Sequence, residues 1–300
     1  MSEYKSGFIG IVGPTNSGKS TLLNALLGEK LSIVSPKVQT TYHAVRGVLS
    51  DENSQMVFTD TPGFQKHKDP VAQLLNRVAE KSAKDCDLVL WVFDVSRRDC
   101  LIQIERLAEK IGTTLTKEKS FLALNKIDKV NKLELLPIMD AIIKMDLFNE
   151  IIPISALKKS GLDSIKKLLT GKLEHDSKFY PDEQLTDRPK KFLAAELVRE
   201  KIYHATHEEV PYSTWVEIEH WDDEVEVPMI HATIHVDSDS KKGILIGKKA
   251  VKLKNIGIAA RRDIEKMTGK QVCLKLRVDV QKDWKRDSRH LKSYLELDQV

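Results

Sequence analysis

One short stretch limits what this chain can become. Gly13-Pro14-Thr15-Asn16-Ser17-Gly18-Lys19-Ser20 lies between the apolar run Phe8-Ile9-Gly10-Ile11-Val12 and the helix-forming Thr21-Leu22-Leu23-Asn24-Ala25-Leu26-Leu27. A strand, a glycine-rich loop and a helix in that order make a phosphate-binding loop. Gly13 and Gly18 allow close approach of backbone to phosphate. The free N–H groups and dipole of the helix start then favour an anion there. Lys19 is expected to neutralise the β- and γ-phosphate oxygens and Ser20 to ligate Mg²⁺, with Thr21 completing the cradle. A glycine-rich turn before an ordinary helix is the plainer reading, and the two flanks together argue against it.

The following residues say which nucleotide. Leu31 to Thr41 is polar and reads as a mobile loop, in which Thr41, chosen over Thr40, should offer its hydroxyl to Mg²⁺ when a γ-phosphate is present. Gln55-Met56-Val57-Phe58-Thr59 reads as a strand delivering Asp60-Thr61-Pro62-Gly63. Asp60 is placed to hold Mg²⁺ through water, and the Gly63 N–H to reach the γ-phosphate. Leu88–Val95 is a continuous apolar run, as a strand buried on both faces should be. Phe121-Leu122-Ala123-Leu124 delivers Asn125-Lys126-Ile127-Asp128, and Ile151-Ile152-Pro153-Ile154 delivers Ser155-Ala156. The Asp128 carboxylate can accept from both guanine N1–H and its 2-amino group, donors that adenine lacks. Two such bonds at about 1.5–3 kcal/mol each give roughly hundredfold to ten-thousandfold discrimination. The Lys126 stem can cover the base, Asn125 can tie this loop to the phosphate loop, and a backbone N–H of Ser155-Ala156 can meet guanine O6. Together these elements describe a GTP site. Hydrolysis should be slow: Phe64 stands where a water-orienting Gln is usual, and Gln65 would have to be re-aimed. That leaves Lys19, Thr41 and Gly63 as the catalytic set.

Charge divides the chain. Residues 241–300 carry 17 Lys and Arg against 7 Asp and Glu, a net of +10, whereas the whole 300 residues net only +4 and the remainder is therefore −6. Such an imbalance suggests a polyanionic partner for the C-terminal part; a solvated basic surface is the plainer reading. No apolar stretch is long enough to span a bilayer. The N-terminus lacks the apolar core of a signal peptide, which reads against export, and Cys86, Cys100 and Cys273 lack metal or disulfide spacing. A polar stretch separates residues 1–175, the α/β nucleotide domain with its mostly parallel sheet and helices on both faces, from a second domain at 191–300, with 176–190 as linker. In the second domain a helix-prone segment, Lys191–His207, precedes three strands of period two: Val216/Ile218, Ile230 to Val236, and Val272 to Val280. His231 and His235 fall on the outer face of the middle strand and read as surface residues.

Between the second and third strands lie Ile246-Gly247-Lys248-Lys249-Ala250, Lys252 and then a helix. The order helix, strand, strand, helix, helix, strand resembles an α+β type II KH fold, in which an I-G-x-x-G loop clamps a nucleic-acid backbone; Ala250 replaces the second Gly. With Gln39-Thr40-Thr41 before His43, Asp182-Glu183-Gln184-Leu185-Thr186-Asp187-Arg188-Pro189 and the motifs above, the whole chain resembles the Era family, bacterial GTPases with a C-terminal KH domain. It departs from that pattern at Tyr42 (usually Arg), at Ala250, and at Arg277 and Asp279 (usually Trp and Lys). The resemblance implies GTP and Mg²⁺ as ligands, K⁺ held with help from Asn16, and RNA contact by Ile246 to Ala250 and Lys252. It further implies binding near the 3′ end of 16S rRNA during small-subunit assembly by a monomer in the cytoplasm, loosely attached to the inner membrane. A GTPase switch for a protein or membrane partner, with only non-specific RNA or lipid binding by the basic C-terminus, is the alternative.

Overall fold

The computed structural model describes residues 4–35, 37, 41–65, 70–111, 115–207, 209–282 and 284. Thr40, weighed against Thr41, lies outside them, as does the end of the basic C-terminal part from 285. Two compact units are present. One contains the described residues up to Ser32 together with Thr41–Asp187; the other contains those between Ile33 and Thr40 together with the chain from Arg188.

In the first unit the chain runs β1 (Lys5–Val12), α1 (Lys19–Leu27), β2 (Val45–Ser50), β3 (Ser54–Asp60), α2 (Pro70–Lys84), β4 (Leu88–Asp94), α3 (Cys100–Ile111), β5 (Ser120–Asn125), α4 (Lys132–Met145), β6 (Glu150–Pro153) and α5 (Leu162–Thr170). The strands form one sheet in the order β2-β3-β1-β4-β5-β6, parallel except for β2 against β3. Every residue of β3, β4 and β5 is buried, because helices cover both faces of the parallel strands. One core layer gathers Ile9, Ile11, Leu23, Phe58 and Leu90 with Leu26 and Ile165, and the other gathers Trp91, Phe93 and Leu122 with Ile104 and Leu107. Strands β3 and β4 flank β1, and the strand order reverses there, which leaves a crevice at the carboxyl ends.

Residues 177–187, within the stretch that polarity reads as linker, are bound to this unit. The buried Gln55 amide accepts from the Phe179 and Tyr180 N–H groups at 2.8 and 3.0 Å and donates to the Tyr180 carbonyl at 2.8 Å. Phe179 packs on Phe8 with ring centroids 4.6 Å apart, and the Val48 N–H donates to the Leu185 carbonyl. A polar strap held by its backbone has no apolar periodicity and looks like linker in the sequence.

The second unit runs α6 (Lys190–Ala205), β7 (Thr214–Trp221), β8 (Met229–Val236), α7 (Asp239–Ile246), α8 (Val251–Thr268) and β9 (Cys273–Val280). β7 is antiparallel and β9 parallel to the central β8, so α7 and α8 make the crossover and cover one face with α6. Ala194, Val198, Ile202, Ile230, Ile234, Ile256 and Ile264 form its core. The other side of α6 is also buried. Arg199, fully buried, gives Glu196 two hydrogen bonds of 2.7 and 2.6 Å and stacks on Tyr203. Against that side, Val34 N–H donates to Glu200 at 3.2 Å, and the Lys37 ammonium donates to the carbonyls of Tyr203 and Thr206.

His231 and His235 are not the surface residues that alternation suggests. His231 is half-buried. His235 is 12% exposed by side chain, stacks on Trp215 at 4.0 Å with a 10° interplanar angle, and sets its Nε2 3.3 Å from Glu217. Burial lowers its pKa from 6.5, against the opposing pull of Glu217, Asp279 and Glu219. The unfolded imidazole therefore takes up a proton before the folded one, so stability present above about pH 6.5 is lost as the pH falls. Melting temperature should drop between about pH 7 and pH 5.5, and His235→Gln should flatten that drop. An identical pH profile in the variant would place the titration elsewhere.

Candidate functional site

The carboxyl ends of β1, β3, β5 and β6 deliver their loops to one crevice. Gly13 has φ +152°, and a Cβ there would lie 2.2 Å from the Val92 carbonyl oxygen; at Gly18, φ +100°, a Cβ would lie 2.3 Å from Asn125 Nδ2. Only glycine fits either place. Pro14, Thr15 and Ser17 line the loop between them, with Asn16 exposed at φ +63°. Lys19 is buried, and its ammonium donates to the carbonyls of Gly13 and Pro14 at 3.1 and 3.0 Å. Burial pushes its pKa down to about 8 although Asp60 pulls the other way. A buried ammonium held by neutral carbonyls is built to receive an anion.

Beside it, the Ser20 hydroxyl donates to Asp60 Oδ2 at 2.7 Å and lies 3.1 Å from the Thr41 hydroxyl. Asp60 is fully buried, and burial raises its pKa. Two hydroxyls and a carboxylate converging at hydrogen-bond distance are hard oxygen donors that suit Mg²⁺. The Asn24 side chain fixes the chain leaving α1 by bonds to Leu31 N–H, Ser32 N–H and the Ser32 carbonyl. Thr61, fully buried, donates to the Ile11 carbonyl and holds the turn through Pro62. Gly63 then passes so near the phosphate loop that a Cβ would sit 2.7 Å from Thr15 Cα. Phe64 N–H donates to the Gly13 carbonyl, and Thr15 N–H to the Phe64 carbonyl. The Phe64 ring is buried in the second core layer, and the Gln65 backbone is pinned both ways by Asn76.

At the other end, Asn125 donates from Nδ2 to the Ser17 carbonyl at 2.8 Å, so it does tie its loop to the phosphate loop. Its Oδ1 accepts from the N–H groups of Lys126 and Ala156. That Ala156 N–H, 3.0 Å from Asn125 Oδ1, would have to be shared to meet guanine O6. Ser155 donates its hydroxyl to Asp128 Oδ1 and orients the carboxylate. Lys126 donates to the Asn16 carbonyl and to Asp94. Asp94, Asn24 and Asn76 were missed in the sequence; the available signal was a polar residue closing or interrupting an apolar run.

In the second unit, Ile246 ends α7 and Gly247 turns the chain with φ +69°, where a Cβ would meet Lys252 Cβ at 2.8 Å. Lys248, Lys249 and Ala250 are exposed, and both Lys249 (φ +50°) and Ala250 (φ +58°) are left-handed. Behind them a groove of about 350 Å³ runs between α8 and β9, floored by Leu253, Gly257, Ile258, Leu274 and Leu276 and walled by Lys254 and Arg261. Arg277 points away from that groove's residues in the strand alternation and joins Thr233 and Glu219 at 2.9 and 2.8 Å. An apolar floor with basic walls beside exposed lysines suits a nucleic-acid strand.

Fold and site define a P-loop GTPase joined to a KH domain. A family profile described as 50S ribosome-binding GTPase matches residues 8–126, and one described as KH domain matches 201–285. GTPase Era of Syntrophus aciditrophicus is 43% identical over 296 residues, covering 97% of this chain and 95% of that protein. GTPase Era of Trichlorobacter lovleyi is 44% identical over 285 residues, covering 94% and 95%. A crystal structure of Era in complex with MgGDPNP and nucleotides 1506–1542 of 16S ribosomal RNA superposes with a TM-score of 0.90 at 38% identity, covering 96% of this chain and 98% of that one. The chain belongs to the Era family of GTPases.

The left-handed Ala250 generates a prediction. An L-residue there costs about 1–2 kcal/mol of backbone strain, partly offset by the flexibility that glycine adds to the unfolded chain. Ala250→Gly should therefore stabilise the protein by about 1 kcal/mol, read as a higher melting temperature; a lower one would contradict the geometry.

Proposed function

We propose that this GTPase binds 16S rRNA near its 3′ end under control of its nucleotide and acts in assembly of the small ribosomal subunit. The observation that carries the reading is the exposed Gly247-Lys248-Lys249-Ala250 turn with its apolar, basic-walled groove. The RNA in the similar crystal structure supports it. Residues 13–21 hold the phosphates, Asn125, Lys126, Asp128, Ser155 and Ala156 the guanine, and Ile246 to Ala250 with Lys252 the RNA backbone.

Ser20 and Thr41 would ligate Mg²⁺ directly and Asp60 through water; the ion would supply charge neutralisation across the β- and γ-phosphates. Lys19, Thr41 and the Gly63 N–H stabilise charge in hydrolysis. Turnover is slow because no side chain at position 64 can orient water. Asn16, exposed at the loop's edge, would help hold a K⁺ ion there. Val34 and Lys37, a few residues before Thr41 in the chain, belong to the second unit and bond to its first helix, which gives the γ-phosphate a route to influence RNA binding. The protein acts as a monomer in the cytoplasm. Its attachment to the inner membrane is loose and peripheral; no helix among the described residues is long and apolar enough to cross a membrane.

A single-stranded RNA ending in the 3′ sequence of 16S rRNA should bind more tightly with a GTP analogue than with GDP, and more tightly than a scrambled RNA. Lys248→Glu with Lys249→Glu should weaken it at least about tenfold and lower the salt dependence. Equal binding of both RNAs in every nucleotide state, lost at moderate salt, would favour the protein- or membrane-directed switch. Single-turnover hydrolysis should be faster in K⁺ than in Na⁺ buffer, and equal rates would remove the K⁺ site.

A further inference from the structure

The end of β4 carries a carboxylate that none of the nucleotide motifs accounts for. Asp94 closes an otherwise apolar strand, and its side chain is 10% exposed. Its Oδ1 accepts from the Ser96 N–H at 3.0 Å and the Ser96 hydroxyl at 2.6 Å. Its Oδ2 accepts from the Lys126 ammonium at 2.7 Å. That ammonium also donates to the Asn16 carbonyl at 2.6 Å. One side chain thus joins the end of β4, the loop after β5 and the phosphate loop.

The sheet register makes this arrangement available, because Asp94 pairs with Asn125 and so lies beside the start of the base-binding loop. Lys126 itself is left-handed, with φ +67°, and its long stem has much rotamer freedom to lose. A short, charge-assisted bond selects one of those rotamers. Burial works against an ionised Asp94, but the bonds from Lys126 and Ser96 outweigh it and hold the carboxyl below its ordinary range.

We infer that Asp94 is a positioning residue for guanine-nucleotide retention, holding the Lys126 side chain stretched between the phosphate loop and the base pocket. This rests on the reading of residues 13–21 and 125–128 as the nucleotide site. The competing role is structural: Asp94 serves only to close the turn with Ser96. Asp94→Asn keeps the shape and the acceptor for Ser96 but removes the charge, whereas Ser96→Ala removes the turn bond and leaves the ion pair.

The experiment is displacement of a fluorescent GDP analogue from the full chain, followed by stopped flow. Asp94→Asn should release the analogue about tenfold faster. Lys126→Met should do the same, and the double variant should be no faster than Lys126→Met alone, because one interaction has been removed twice. Ser96→Ala should stay near the wild-type rate. Wild-type release from Asp94→Asn, multiplying effects in the double variant, or equal acceleration by Ser96→Ala would each overturn the assignment. Should Asp94→Asn fold poorly, Asp94→Ser tests the charge when read against Ser96→Ala, which controls for the turn bonds that Asp94→Ser also loses. Failure of the unaltered protein to bind the analogue would instead overturn the nucleotide-site reading.

Discussion

An ammonium group buried inside a protein is costly unless something anionic meets it, and the first unit is arranged around that demand at Lys19. Two loop carbonyls and the nearby Asp60 share the task, and burial still outweighs them in holding the Lys19 pKa down to about 8. The surplus is what a polyphosphate would supply. Strand order serves the same need. β1 lies in mid-sheet, where it brings Lys19 under cover, β3 beside it brings Asp60, and β4 on the other side borders the loop closely. Gly13 is compelled by the Val92 carbonyl of β4, so the loop's path is set as much by its neighbour strand as by its ligand.

The two units solve anion binding in different ways. In the first, charge is buried, few groups are used, and each is hydrogen-bonded into place. The second leaves its lysines exposed on a turn beside a groove whose apolar floor is itself part-exposed. Buried charges confer geometric selectivity for a small ligand; exposed ones confer salt-sensitive attraction to a long polyanion. Strain is accepted in both. Asn16, Lys126, Lys249 and Ala250 all adopt left-handed backbone conformations, and each lies at a place where the chain must turn sharply under a ligand surface.

Much of this was legible in the residues. Gly13 to Ser20, Asp60 to Gly63, Asn125 to Asp128 and Ser155 to Ala156 are local signatures, each written at the end of an apolar run, and each lies where strand ends meet. The KH order was legible because alternation and helix periodicity are also local. The role of Gln55 was not, since a buried amide binding the backbone of 179 and 180 joins residues far apart in sequence. The burial of His235 was not, because alternation reports which side of a strand a residue takes, and not what stacks on that side. Nor was the burial of the Glu196–Arg199 pair on the second side of α6, since periodicity reports which side of a helix a residue takes and not what covers it.

By itself the sequence determined the ligand class, the chemistry of each loop and the helix-and-strand order of both units. These depend on side-chain type at fixed spacing, and spacing is preserved when a chain folds. Tertiary structure alone decided that Asp94 meets Lys126, that Ala250 is left-handed, and that 177–187 is a bound strap. Those facts depend on register between strands and on backbone angles, which are fixed by packing across the sheet and leave no trace in the order of residues along the chain.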